Sequence, residues 1–188
     1  MIMFDWKVLG ISALITTVVI AILCWRKRLG FFKTMVRILF GMYIHMLLAV
    51  TLFPVIIPFD KSWSIGNAKH SMNVIPFVKN LKSYDGNLFT LFLIAKNYIG
   101  NFICFLPLGF LIPCIFTSAQ KPVRILMIGL LVSLTIEVIQ LVMICSAMSF
   151  CRIVDIDDVI FNGLGAWCGF QLHRVMVKRW SSKFHCSI

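Results

Sequence analysis

Charge is what this chain has least of. Only 13% of its residues are charged and only seven of 188 are acidic, against about 25% charged residues in soluble globular domains. With 60% hydrophobic residues and a mean hydropathy of +0.95, that scarcity excludes a soluble fold and points to an integral membrane protein. Closely paired cysteines are also missing. Cys24, Cys104, Cys114, Cys145, Cys151, Cys168 and Cys186 have no repeated short spacing, which excludes a zinc ribbon or a disulfide framework. Most lie in apolar runs, where cysteine acts as a small hydrophobe, and only Cys145 and Cys151 are placed to meet in a loop. His45, His70, His173 and His185 are scattered without ligand spacing, so neither metal nor cofactor is expected. No phosphate loop or nucleophile elbow is present. A formal net charge of +11 stands beside no nucleic-acid motif; membrane topology and anionic headgroups account for it, and no nucleic-acid partner is expected.

What the chain does have is long apolar runs. Val8 to Trp25, Val36 to Ile57, Tyr98 to Thr117, Ile125 to Ile144 and Val159 to Val177 are each near the length of about 20 residues that a membrane helix needs. Asn162, Gln171, His173 and Arg174 interrupt the last. Continuous apolarity argues against barrel strands, which alternate. The expected fold is therefore all-α, a polytopic membrane helix bundle of about five transmembrane helices. The first run is followed, not preceded, by its basic cluster and has no small-residue cleavage pattern, so it reads as an uncleaved helix.

Basic residues set the expected orientation. Arg26, Lys27, Arg28, Lys33 and Arg37 lie between the first two runs, Lys121 and Arg124 between the third and fourth, and Arg174, Lys178, Arg179 and Lys183 at the end. Placing them in the cytoplasm puts the N-terminus outside and the C-terminus inside. The predicted organisation is two N-terminal helices with a basic cytoplasmic loop over 1–58, an extracellular loop over 59–97, a three-helix core over 98–177, and a cytoplasmic tail over 178–188. The outer loop carries five lysines, which a long exported segment tolerates.

Polar residues stranded in this apolar sequence mark a site. Ser133, Glu137 and Gln140 are spaced i, i+4, i+7 and share one helix face. An acidic side chain inside a span costs about 3 kcal/mol on insertion scales, so it faces a partner, a cavity or water. Asp155, Asp158, Asn162, Gly165, Ala166 and Gly169 form a second stripe if the fifth helix starts near Asp155. Its small half reads first as helix packing and second as a dimer seam. Asn97 and Asn101 lie one turn apart ahead of Pro107, which can kink the third helix or simply reflect the abundance of proline in membrane helices. Glu137 falls roughly 10 Å below the outer end of its helix at 1.5 Å per residue, and Asn101 and Asn162 enter at comparable depth. Together they predict a polar pocket open to the outer leaflet, with Arg152 able to pair with a carboxylate at its mouth. The alternative is a set of interhelical hydrogen bonds, about 1 kcal/mol each, with no ligand.

These residues carry a resemblance. Asn73-x-x-Pro76-Phe77, Asn101-x-x-x-Phe105-x-Pro107-x-Gly109, Ser133-x-x-x-Glu137-x-x-Gln140 and Arg152-x-x-Asp155-x-Asp157-Asp158-x-x-x-Asn162-x-x-Gly165 occur in that order. The segment from Asn73 to Gly169 resembles the VanZ-like family of bacterial membrane proteins; the first two runs show no such likeness. The family is named for a protein conferring low-level teicoplanin resistance, so the resemblance implies the cytoplasmic membrane of a Gram-positive bacterium and a role at the cell envelope. The implied ligand-binding residues are Asn101, Ser133, Glu137, Gln140, Arg152, Asp155, Asp157, Asp158 and Asn162. The expected partner is a membrane lipid, a lipid-linked envelope component or a lipoglycopeptide. The favoured reading is a non-enzymatic protein of antibiotic resistance or envelope-lipid handling. A small membrane enzyme is the alternative, with Glu137, Asp155 and Asp158 as its candidate catalytic carboxylates. Transport ranks third, since no inverted repeat is evident.

Overall fold

The computed structural model describes residues 2–4, 6–52, 55–57, 72–73, 75–77, 84–116, 120–146 and 154–184. Five helices make up almost all of it: α1 Trp6–Arg26, α2 Phe31–Leu52, α3 Leu88–Ile115, α4 Pro122–Cys145 and α5 Ile156–Phe184. Two short strand pairs tie the connecting segments. β1 Ile2–Phe4 runs antiparallel to β2 Val55–Ile57, and β3 Met72–Asn73 runs parallel to β4 Val154–Asp155.

The helix boundaries follow local chemistry more closely than the apolar runs do. α2 stops at Leu52, two residues before Pro54, and the apolar tail predicted to continue it forms β2 instead. α3 starts at Leu88, well ahead of the predicted Tyr98. Asn87 caps it by accepting a hydrogen bond from the Phe89 N–H at 3.0 Å. Asp85 in turn accepts from the Asn87 N–H at 3.0 Å, and this bond, with the Thr90 side chain, holds the Asp85 carboxyl below the usual carboxylate range. Lys96 and Asn97 lower the apolar character of this stretch without breaking the helix. α3 also continues through Pro107 and Pro113 as one element. α4 opens on Pro122, whose fixed φ suits the first helical position.

Four helices, α1 to α4, are long and apolar enough to cross a membrane. The fifth predicted run lies within α5, which falls outside that group because polar residues stud it. Asn162 among them is sheltered by protein, whereas Arg174, Lys178 and Arg179 are exposed. Asn162, Gly163, Gly165, Ala166, Gly169 and Phe170 are buried against α3 and α4, while Leu164, Trp167 and Leu172 on the other side are exposed.

Contacts fix the helix directions. Gly165 and Gly169 of α5 abut the carbonyls of Phe102 and Leu106 on α3, so these two helices run parallel. Asn162 meets Ser133 while Gly129 meets Ala166, so α4 runs opposite to them. Thr16 lies 3.5 Å from His45, and Gly41 lies under Ile20, which makes α1 and α2 antiparallel. The helices thus alternate in direction, bringing the basic linkers after α1 and α3 to one end of the bundle and both strand pairs to the other.

The α3–α5 seam is unusually close. A methyl group at Gly109 would fall on the Ala166 carbonyl oxygen, one at Gly165 on that of Phe102, and one at Gly169 on that of Leu106. Backbone contact of this kind permits Cα–H···O interactions. The small stripe of α5 is therefore filled by α3 of the same chain. The core beside it comprises Phe105, Leu108, Ile112, Ile125, Ile136, Ala166 and Phe170, closed by Tyr43 and Leu47 from α2. Tyr43 donates its hydroxyl to the Cys104 carbonyl at 2.9 Å.

Candidate functional site

At the end of the bundle opposite the basic linkers, Asp155 sits at the N-cap of α5. Its Oδ1 accepts from the Asp157 N–H at 3.0 Å and from the Asn73 side-chain amide at 2.8 Å. Its own N–H donates to Glu137 Oε2 at 3.0 Å. The buried Glu137 thus holds the entry to α5, and Asn73, paired with Asp155 in the parallel β3–β4 register, holds the other side.

Asp157 is completely buried and works as a clasp. Oδ1 accepts from the Phe77 N–H at 2.9 Å and Oδ2 from the Tyr98 hydroxyl at 2.9 Å. Phe77 adopts φ +61°, a left-handed conformation rare for a bulky residue. Its ring meets Tyr98 edge-on at 6.2 Å, and Tyr98 stacks on Phe161 at 4.3 Å. The carboxylate and these rings hold the strained residue in place. Asp157 and Asp158 also occupy the first turn of α5, where the helix dipole favours negative charge.

Beside the clasp lies a cavity of about 440 Å³. Its polar wall is formed by Asn97, Asn101, Glu137, Gln140, Asp158 and Asn162, with Lys96 and Thr51 at its edge. Asn97 donates to Asp158 Oδ1 at 3.0 Å. Gln140 donates to the Thr51 carbonyl at 2.8 Å, satisfying one of the last carbonyls of α2. Asn162 donates to Ser133 Oγ at 2.8 Å. Among the described residues, two buried side-chain atoms on residues lining this cavity have no partner: Asn101 Nδ2 and Asn162 Oδ1. Natively folded proteins leave few such atoms unpaired, so each calls for a water or a ligand.

Of the residues singled out in the sequence, Asn101, Glu137, Gln140, Asp158 and Asn162 come together around the cavity. Ser133 is buried one layer behind and supports Asn162. Asp155 and Asp157 are not on the cavity wall; the loop clasp takes them up. Arg152 and Cys151 lie outside the described residues, and Cys145 carries a free thiol. No group of three or more His, Cys, Asp or Glu among the described residues is set to hold a metal ion. Sequence reasoning assigned no role to Tyr98, Phe77 or Asn73. The Asn73-x-x-Pro76-Phe77 motif is the signal for Asn73 and Phe77 and does not include Tyr98.

Helices of this length and apolarity, packed around a buried polar cavity, define a multi-pass membrane protein. Residues 40–177 match the family model described as VanZ/LLP1, and the chain belongs to that family. The matched region begins inside α2, earlier than the motifs suggest, in keeping with the contributions of Tyr43, Leu47 and Thr51 to core and cavity. No curated protein and no solved structure matches the chain.

Proposed function

We propose that this VanZ-like protein lies in the cell membrane of a Gram-positive bacterium, N-terminus outside and C-terminus inside, with its cavity open toward the outer leaflet. There it binds the headgroup of a membrane lipid or lipid-linked envelope component and lowers the effect of teicoplanin. The observation that carries the reading is the cavity wall: amides and carboxylates converge there, and an unmet donor and acceptor are left over. A purely structural network would close its own hydrogen bonds. The basic linkers at the opposite end support the orientation.

Glu137→Gln tests it. Glutamine keeps an oxygen for the Asp155 N–H and removes the charge, so membrane abundance should hold. In a sensitive Gram-positive host, wild type is expected to raise the inhibitory concentration of teicoplanin selectively over vancomycin, and the variant at matched level to lose that protection. Full protection by the variant would remove the charge from the mechanism. No protection by wild type would remove the resistance reading.

The positions of Glu137 and Asp158 on one cavity favour a second reading, a small enzyme acting on a lipid-linked envelope component by carboxylate acid–base chemistry. On that reading Asp158→Asn abolishes turnover by the purified protein. A wild type without turnover excludes it.

A further inference from the structure

The two unmet atoms differ in kind, and the difference selects a ligand. Asn101 Nδ2 is a donor; Asn162 Oδ1, on a side chain only 4% exposed, is an acceptor. An ammonium group has only donors and answers Asn162 alone. A phosphate oxygen only accepts and answers Asn101 alone. A hydroxyl does both. With the Asn162 amide turned over, both atoms are donors on residues that line the cavity, and the two lone pairs of a hydroxyl oxygen still suit them. Apart from Lys96, a cationic donor, the remaining polar wall repeats this preference. Glu137 and Asp158 accept from hydroxyls, while the Asn97 and Gln140 side chains carry both donor and acceptor atoms. At about 30 Å³ per water the cavity has room for on the order of fifteen molecules, more than a few structural waters need. Its volume is within the usual ligand range of about 300–1,000 Å³. Val50, Leu93, Phe105 and Ile136 supply an apolar side to the same space, suited to the first carbons of a lipid.

We infer that the cavity takes a polyol group, a glycerol or a sugar with vicinal hydroxyls. The inference rests on the headgroup-binding reading above and specifies its ligand class. Two sources carry this chemistry: a lipid such as phosphatidylglycerol or a glycosyl diacylglycerol, and a free polyol.

The test is a binding panel on the purified full-length chain in lauryldimethylamine oxide, a detergent without hydroxyls. Short-chain phosphatidylglycerol is compared with phosphatidic acid and phosphatidylethanolamine of the same chains, a glycosyl diacylglycerol with its O-permethylated form, and each with free glycerol. The hydroxyl-bearing lipids are expected to bind at least about tenfold more tightly than their counterparts, the scale of one or two buried hydrogen bonds. Asn101→Leu is expected to erase that preference while leaving the unfolding midpoint without ligand unchanged or raised, because leucine removes an unmet buried donor. Free glycerol binding as well as the lipids would keep the polyol and assign it a soluble source. Equal affinity across the panel in wild type would overturn the polyol assignment and leave headgroup binding standing, as would an undiminished preference in Asn101→Leu. No binding of any lipid or of glycerol would remove the headgroup reading and the inference with it.

Discussion

Gly109→Ala is expected to remove most of the folded protein from the membrane. The added methyl lands on the Ala166 carbonyl oxygen, a backbone atom in the middle of α5 that cannot turn aside as a flexible side chain would. Overpacking a well-filled interior costs about 1–3 kcal/mol and sometimes more, and an obstacle made of backbone belongs at the upper end. Moving α5 away to make room would also open the contacts at Gly165 and Gly169 and draw Asn162 from Ser133. A loss of about 3 kcal/mol shifts the folding equilibrium more than a hundredfold. Gly10→Ala is the matched control, since apart from its own helical backbone nothing lies within 4 Å of its added methyl. The measurement is membrane abundance and the thermal unfolding midpoint in detergent. If the two variants unfold at the same temperature, the close seam is not what holds α3 to α5.

Half of this seam was legible in the sequence. The spacing of Gly165 and Gly169 marks a small helix face, but periodicity names a face and not the helix that covers it; the contacts with Gly109 and the Phe102 and Leu106 carbonyls assign that face to α3 and not to a dimer seam. The Ser133, Glu137, Gln140 stripe was legible for the same reason, and all three side chains are buried. The acidic cluster was not. In sequence Asp155, Asp157 and Asp158 look like one unit, yet they divide between three tasks: capping α5, clasping Phe77 and Tyr98, and lining the cavity. One precedes the helix, and the other two are successive helical residues about 100° apart around its axis, so they cannot share a direction. The start of α3 was missed because Lys96 and Asn97 interrupt the apolar run, whereas the capping chemistry at Asn87 decides where the helix begins.

Asp157→Ala is expected to undo the clasp. It removes the acceptors of the Phe77 N–H and the Tyr98 hydroxyl from a position with no solvent exposure. Leaving each donor without this partner costs about 1–3 kcal/mol, and the lost charge at the α5 N-terminus adds about 0.5 kcal/mol. Phe77 then has less to hold it at φ +61°, and a relaxation that returns it to ordinary backbone space becomes favourable. Chymotrypsin cleavage after Phe77 is the readout, alongside the unfolding midpoint. The expected order of sensitivity is Asp157→Ala, then Asp157→Asn, which keeps one acceptor oxygen, then Tyr98→Phe, which loses one bond and keeps the stack on Phe161 at 4.3 Å. An Asp157→Ala protein that resists cleavage as wild type does would mean that the aromatic contacts alone hold the segment. A Tyr98→Phe protein cut as fast as Asp157→Ala would place the clasp in the phenol rather than in the carboxylate that joins the two.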